Sequence, residues 1–441
     1  DKQVDLLFEL DKGNKVYFGK FNVLGNSKTR DKVVRRELKI LESELYNETR
    51  RRESEEAIKR LGFFEEVTFK TAIDPTNTDI MNLDIVVKER STGQIQFGAG
   101  YGSATGFTMQ GSVSQTNFLG KGQNLSASLN VSSTASQYSL SMTEPYYNDS
   151  LWSLGGDIYQ SGNSGREDYI ENHEGGSVRT GYPIAEYTRL FFKYKYDKTL
   201  LDTKYLQNKP VTDLTLFPLS EASGDTSSGT LTLEYDTRND RFMPTRGLVS
   251  SASVEYAGLG GSIKYLKTGT IFRYYKNIFW DVVFRNSLQY DRVDQLEGRP
   301  IPFPELFVLG GPYSLRGYRS YRVGKMKLSE TIRQELIAKG YSDLNARKEA
   351  MRFVGGTQQA LYQGELQFPL IKEANIMGVG FFDVGSAEDE LIDTRFFSDL
   401  GFGIRWFSPI GPLRFEWGFP LNRDPDYHDP TVFEFSIGAP F

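Results

Sequence analysis

The stretch Ser398-Asp399-Leu400-Gly401-Phe402-Gly403-Ile404-Arg405-Trp406-Phe407-Ser408-Pro409-Ile410-Gly411-Pro412-Leu413-Arg414-Phe415-Glu416-Trp417-Gly418-Phe419-Pro420 holds two strand-length segments, 398–407 and 411–420, joined by the tight turn Ser408-Pro409-Ile410-Gly411. In the first segment Leu400, Phe402, Ile404 and Trp406 alternate with small or polar residues, the two-residue period of a strand with one apolar face. Segments of this kind follow one another over most of the chain from Gln94 onward, with turn signals between them. Strands are expected at about 93–102, 105–116, 122–133, 136–145, 150–160, 172–182, 187–199, 226–236, 247–258, 262–276, 279–291, 356–369, 375–385, 398–407, 411–420 and 430–441, roughly sixteen in all.

The connections between them differ in kind. Long ones are expected after strands 3, 5, 7, 11, 13 and 15, whereas Asn117-Phe118-Leu119-Gly120, Tyr146-Tyr147-Asn148-Asp149, Lys276-Asn277-Ile278 and Ser408-Pro409-Ile410-Gly411 close even-numbered strands tightly. Short turns at one end and long loops at the other are the signature of a transmembrane barrel, and they place both chain ends on the short-turn side. The longest connection, about 292–355, contains a charged stretch, Ser329 to Phe353, that reads as one or two helices around Gly340.

Residues 1–90 have another texture. Val16 to Leu24 reads as a strand, Thr29 to Leu41 as an amphipathic helix with Val33, Val34, Leu38 and Leu41 on its apolar face, and Asn47 to Leu61 as a second helix closed by Gly62. Phe64 to Ala72 and Ile80 to Glu89 are strands around the turn Asp74-Pro75-Thr76-Asn77. The fold class expected is therefore membrane all-β: a sixteen-stranded antiparallel transmembrane β-barrel, residues 92–441, behind one small α+β domain, residues 15–91. Residues 1–14, which start inside the strand-like run Val4 to Leu10, are read as the remnant of a preceding domain or linker.

Composition agrees. Aromatic residues make up 14% of the 441 residues, with 31 Phe and 25 Tyr beside 43 Gly, which suits aromatic girdles and glycine-marked turns. A mean hydropathy of −0.44 and the lack of a long apolar run exclude helical membrane spans, while a barrel wall, apolar only at alternate residues, averages to a polar value. The formal charge of −5 without a basic block points to no nucleic acid partner.

Little suggests catalysis. The two histidines, His173 and His428, lie apart in sequence, cysteine is absent, and no nucleophile elbow, phosphate-binding loop or dinucleotide fingerprint occurs. Acidic clusters such as Glu388-Asp389-Glu390 read as solvated loops, so no catalytic residue, metal or cofactor is expected and the chain is not read as an enzyme.

The long connection opens with Gly310-Gly311-Pro312-Tyr313-Ser314-Leu315-Arg316-Gly317-Tyr318. Here the chain resembles the BamA family of outer-membrane protein assembly factors, in which such a loop folds into the barrel and carries an Arg-Gly-Tyr/Phe motif. The resemblance extends to Leu61-Gly62-Phe63-Phe64, similar to the helix end of a polypeptide-transport-associated (POTRA) domain, and to Val87-Lys88-Glu89-Arg90-Ser91-Thr92-Gly93 before the first barrel strand. It also takes in Tyr235-Asp236-Thr237-Arg238 with Pro244-Thr245-Arg246-Gly247, and the closing Phe433-Glu434-Phe435-Ser436-Ile437-Gly438-Ala439-Pro440-Phe441.

By this resemblance Leu315, Arg316, Gly317 and Tyr318 anchor the loop in the lumen, with Glu365 and Asp383 as carboxylate partners that offset the burial of the arginine. It implies a bacterial outer-membrane location with the small domain and the C-terminus in the periplasm. The partners it implies are unfolded outer-membrane β-barrel proteins, assembly-machine lipoproteins on the periplasmic side, and outer-membrane lipid. Only one POTRA domain is present where family members carry several.

The function expected is folding and insertion of β-barrel proteins through a lateral seam between the first and last strands. Gln94, Ile95, Gln96, Phe97, Gly98, Ala99 and Gly100 would form one side, and Phe433, Phe435, Ile437, Gly438, Pro440 and Phe441 the other. Pro440 lacks an N–H and the glycines offer little side-chain packing, so the seam would be weak and an opened strand would accept client strands by backbone pairing. The alternative reading is a POTRA-barrel protein translocation pore of the two-partner secretion type.

Overall fold

The computed structural model describes residues 14–206, 209–210, 212–241, 243–408 and 411–437. Two compact units emerge, one built mainly on residues 14–94 and one holding most of the barrel. The small domain runs β1 (Tyr17–Leu24), α1 (Asp31–Arg35), α2 (Glu48–Arg60), β2 (Phe64–Ile73) and β3 (Ile80–Glu89). Its sheet has the order β1-β3-β2, with β1 parallel and β2 antiparallel to β3. Phe18, Phe21, Val33, Val34, Ile58, Leu83 and Ile85 form its core. Asn47 caps α2 by accepting from the Arg50 N–H, and Gly62 leaves it with φ of 71°.

The first helix is shorter than its sequence pattern predicts. It stops at Arg35, and Leu41, expected on the buried face, is 70% exposed while Ile40 enters the core at 1%. The reason is a competing partner. The Ser43 N–H donates to Phe18 O at 2.8 Å and the Phe18 N–H to Glu44 O at 2.8 Å, so the chain lies along β1 here instead of coiling. Pairing with a strand distant in sequence overrides helical periodicity.

The barrel strands are β4 (Gly93–Gly102), β5 (Gly106–Phe118), β6 (Gln123–Ser132), β7 (Ala135–Glu144), β8 (Ser153–Asn163), β9 (Tyr169–Ala185) and β10 (Thr188–Thr203). The chain then makes a small ribbon, β11 (Tyr205–Leu206) with β12 (Lys209–Pro210), and a helical turn, α3 (Leu219–Ala222). It resumes the wall with β13 (Gly224–Asp236), β14 (Gly247–Gly261), β15 (Tyr265–Phe279) and β16 (Val282–Gln295). The long connection carries β17 (Met326–Leu328), α4 (Glu330–Ala338), α5 (Asp343–Glu349) and β18 (Met351–Phe353). The last wall strands are β19 (Gln358–Ile371), β20 (Ile376–Glu388), β21 (Phe397–Ser408), β22 (Gly411–Pro420) and β23 (Val432–Ile437). Sixteen of these strands close on themselves, β23 lying beside β4.

Strand β21 shows how the wall is oriented. Asp399, Gly401, Gly403 and Arg405 are buried, whereas Leu400, Phe402, Ile404 and Trp406 stand exposed on the outer surface. Polar residues inside and apolar residues outside reverse the arrangement of a water-soluble barrel and match a wall solvated by lipid. No helix among the described residues is long and apolar enough to cross a membrane.

The long connections, 204–223, 296–357, 389–396 and 421–431, lie at one end, and tight ones such as 186–187, 280–281 and 372–375 at the other. One expectation fails. The link between β6 and β7 is not long: the Ser132 hydroxyl accepts from the Ala135 N–H at 2.9 Å, so a Ser-Ser-Thr run with loop-like composition makes a tight hairpin. Connection 237–246 at the short-turn end is also longer than its neighbours. The helical stretch is two helices, capped by Ser329 and Ser342 and separated at Gly340, whose φ is 91°.

Candidate functional site

The loop that opens the long connection folds into a tight tip. Gly310 and Gly311 adopt φ of 105° and 100°, which an L side chain resists, and the Gly311 N–H donates to Tyr318 O at 2.8 Å. This folding-back sends Leu315 into a cluster with Tyr265, Leu361 and Ala387 of the wall, where it is fully buried.

Arg316, 5% exposed, projects onto strands β19 and β20. Its Nε and Nη2 each donate to Asp383 at 2.8 Å, Nη1 donates to Glu365 at 2.8 Å, and its guanidinium lies 3.7 Å from the centre of the Phe381 ring. Arg405 grips Glu365 from the other side through Nη1 at 2.8 Å and Nη2 at 2.7 Å, and donates to Glu416 through Nη2 at 2.7 Å. Arg414 also bonds Glu416 and reaches back to Pro312 O at 2.9 Å. Alternating arginines and carboxylates thus satisfy one another, which is what burying so many charges requires.

The backbone must come very close to the wall for these bonds to form. A Cβ on Gly317 would stand 2.4 Å from Asp399 Cβ, and one on Gly418 would stand 2.5 Å from Arg316 O. Glycines on both sides of the contact therefore make the seat. Tyr318 completes the tip: its hydroxyl donates to Ser398 O at 3.1 Å and burial pushes its pKa up to about 12. Its ring meets Phe397 and His428 edge-on at 5.7 and 5.0 Å.

The structure brings together Leu315, Arg316, Gly317, Tyr318, Glu365 and Asp383, and adds Arg405, Arg414, Glu416 and Asp399, which sequence reasoning missed. A signal existed. In 398–420 these charged residues share the inward parity with Gly401, Gly403 and Gly418, opposite the apolar row. Among the described residues no group of three or more His, Cys, Asp or Glu is arranged to hold a metal ion.

At the seam the described β23–β4 ladder consists of Ser436 opposite Gly102 and Ile437 opposite Tyr101. Just past the ladder the Ser103 N–H donates to Phe435 O at 2.9 Å, the Phe435 N–H donates to the Ser103 hydroxyl at 3.1 Å, and that hydroxyl bonds Glu434. Tyr101 stacks on Phe435 at 5.7 Å, and Phe435 on Phe433 at 5.9 Å.

On β4, Gln94, Ile95, Gln96, Phe97 and Ala99 are exposed, Ile95 at 82% and Phe97 at 75%, and Gly98 is half-buried. At Gly100 a Cβ would lie 2.0 Å from Ile437 O, so this glycine permits contact and does not merely lack packing. Gly438, Pro440 and Phe441 lie outside the described residues.

Residues 117–441 match the Omp85 superfamily domain, and residues 16–90 match a POTRA domain described as a surface antigen variable number repeat. The chain belongs to the Omp85 superfamily. Strand β4 and most of β5 lie between the two matches, yet they complete the Omp85 barrel.

Outer membrane protein assembly factor BamA of Nitratidesulfovibrio vulgaris is 28% identical over 450 residues, covering 99% of this chain and 53% of that protein. The chain spans about half the length of the curated relatives it matches. Among solved structures, BamA from Haemophilus ducreyi lacking POTRA domains 1–3 aligns with a TM-score of 0.77 and 24% identity, over 97% of this chain and 85% of that one. CdiB from Acinetobacter baumannii aligns with a TM-score of 0.60 and 14% identity, over 96% and 73%.

Proposed function

We propose that this Omp85 chain is the membrane part of an outer-membrane protein assembly factor, which folds β-barrel proteins and inserts them through the seam between β4 and β23. The observation that carries this reading is the loop seat, where Asp383 and Glu365 of the wall hold Arg316 inside a barrel that β23 and β4 close. Unpaired edge groups on an opened β4 would accept a client strand by backbone pairing, and the folding of the client supplies the free energy. No nucleotide or catalytic group is required.

The reading places the chain in the bacterial outer membrane with its small domain and C-terminus in the periplasm. Its partners are then unfolded barrel proteins, lipoproteins of the assembly machinery and the surrounding lipid. The relatives named BamA support it, and so does the loop seat, because a pore that conducts substrate through the lumen would have to clear Leu315 to Tyr318 from their buried positions.

The test uses the register at the seam. The chain has no cysteine, so Tyr101→Cys with Ile437→Cys gives one defined disulfide across it. In liposomes, insertion of an unfolded barrel client, followed by protease protection, is expected to stop when the pair is oxidised and to return on reduction. Undiminished insertion by the oxidised protein would overturn the proposal, and secretion of a client by it would favour the pore.

A further inference from the structure

The short-turn end of the barrel holds a chamber of about 1000 Å³. Its roof is the loop tip, at Pro312, Tyr313 and Arg316, and its walls come from β15, β16, β19, β20, β21 and β22. Its rim is formed at the connections 237–246, 280–281 and 372–375, by residues such as Met243, Asp281 and Asn375.

The charge of the lining is one-sided. Arg273, Arg285, Arg316, Arg405, Arg414 and Lys372 face two lining carboxylates, Asp281 and Glu365. Most of these cations are committed: Lys372 to Asp281, Arg285 and Arg405 to Glu365, and Arg316 to Glu365 and Asp383. Two have bonding capacity to spare. Arg273 has neither a hydrogen bond nor an ion pair with any described residue. Arg414 is 6% exposed and its buried Nε has no hydrogen-bond partner. A buried donor without an acceptor is unfavourable by about 1–3 kcal/mol, which favours a shift of the Arg414 side chain toward an anion in the chamber.

The remaining lining mixes amides such as Asn277, Asn286 and Gln363 with the apolar and aromatic side chains of Tyr275, Tyr313, Phe407 and Met377. A small inorganic ion would leave this surface and most of the volume unused. Lipid has no lateral entrance here, because the ladders from β15 to β22 run without a gap in their order and the opening faces along the barrel axis. A polypeptide segment can enter that way.

We infer that this chamber binds a peptide segment carrying carboxylates and aromatic side chains, the carboxylates pairing with Arg273 and Arg414 and the rings packing on Tyr275 and Tyr313. That the peptide is an incoming client rests on the assembly-factor reading; the binding site does not.

The experiment is calorimetric titration of the whole chain, in a nonionic detergent, with a short peptide of alternating Glu and Tyr. Saturable binding is expected, and its Tyr/Gln analogue should bind at least about tenfold more weakly, as tenfold corresponds to about 1.4 kcal/mol, one well-made ion pair of this kind. Arg273→Gln should weaken binding to a similar extent. Because Arg273 bonds to no described residue, this variant keeps the fold; Arg292→Gln, whose parent side chain pairs with Asp294, serves as the control that binds normally. Equal affinity for the two peptides, or no effect of Arg273→Gln, would overturn the inference. So would displacement of the peptide by equimolar phosphate, which would leave an inorganic-anion site, or by equimolar short-chain phosphatidylglycerol, which would leave a lipid site. Peptide binding by a chain whose insertion ignores the seam disulfide would remove the assembly mechanism and leave the chamber, and the converse result would do the opposite.

Discussion

Arg316 and Asp383 meet as a fork, Nε and Nη2 of the arginine each 2.8 Å from a carboxylate oxygen, and the bond joins residues 67 positions apart. Asp383 is fully buried. Arg316→Ala therefore strands a buried carboxylate beside Glu365 and Asp399. Removing one partner of such a pair is expected to destabilise by about 3–5 kcal/mol. Arg316→Lys, which keeps the charge but not the two parallel bonds, should lose less. Urea unfolding of the lipid-embedded chain reads the difference, and coincident midpoints for wild type and Arg316→Ala would show that the fork does not hold the loop.

Gly317 tests the same seat through shape alone. The added methyl of Gly317→Ala lies 2.4 Å from Asp399 Cβ and 3.2 Å from Pro420 N, so the loop tip must move although no charge has changed. Overpacking of this kind is unfavourable by about 1–3 kcal/mol. Trypsin should then cut faster after Arg319 and Arg322, just beyond the tip. Gly340→Ala, in open space between α4 and α5, bears only the strain of its positive φ and should leave those cleavage rates unchanged.

In the small domain Glu89 accepts from the N–H groups of Thr29 at 2.6 Å and Lys28 at 3.0 Å, and from the Ser27 hydroxyl at 2.8 Å. Burial pushes its carboxyl up, but these bonds outweigh burial and hold it below the usual carboxylate range. A depressed carboxylate stabilises the fold above its unfolded pKa, about 4.3, and that contribution disappears as pH falls through the lower folded value. Placing a single cysteine at Val34, buried in this core, gives a labelling reporter in an otherwise cysteine-free chain. With a pyridyl disulfide reagent, the urea midpoint for labelling should drop between pH 5 and pH 3. Glu89→Gln should lower the domain's stability by about 1 kcal/mol at pH 7 and flatten the drop; an unchanged slope would assign the acid sensitivity to other groups.

What could be read in advance follows physical range. Alternation is local, so β3 and β22 fall at the bounds their sequence shows and β21 within a residue of them. The α1 helix failed where Ser43 and Glu44 found a partner in Phe18, a contact no local period encodes. The same distance hid the charged network: Arg405 and Glu416 carry the inward parity of their strands, but nothing along the chain says that both meet Glu365 or flank the Arg316 side chain. Gly100 illustrates the limit best. Its proximity to Ile437 O depends on barrel closure, and in the sequence it is simply one more glycine in a glycine-rich strand.

His428 offers a second, independent pH dependence. Its Nε2–H donates to Arg322 O at 2.7 Å and its Nδ1 accepts from the Asp424 N–H at 2.9 Å, which fixes the neutral tautomer. The ring is buried against Tyr318 and Phe397, and burial draws its pKa below the ordinary value of about 6.5. Protonation would set an N–H against the Asp424 N–H and place a charge among aromatic rings. With the folded pKa depressed, the stabilising contribution is complete above about pH 6.5 and is lost as pH falls through the folded value. His428→Gln retains one donor and one acceptor but does not titrate. The thermal midpoint of wild type should therefore fall more steeply between pH 7.5 and pH 5 than that of His428→Gln. The other histidine, His173, bonded to Asp197 and Glu171 at 2.7 Å on its two ring nitrogens, contributes equally to both proteins and cancels in the difference. Parallel pH profiles would show that the His428 ring takes up its proton alike in the folded and unfolded chains, contrary to its buried bonding.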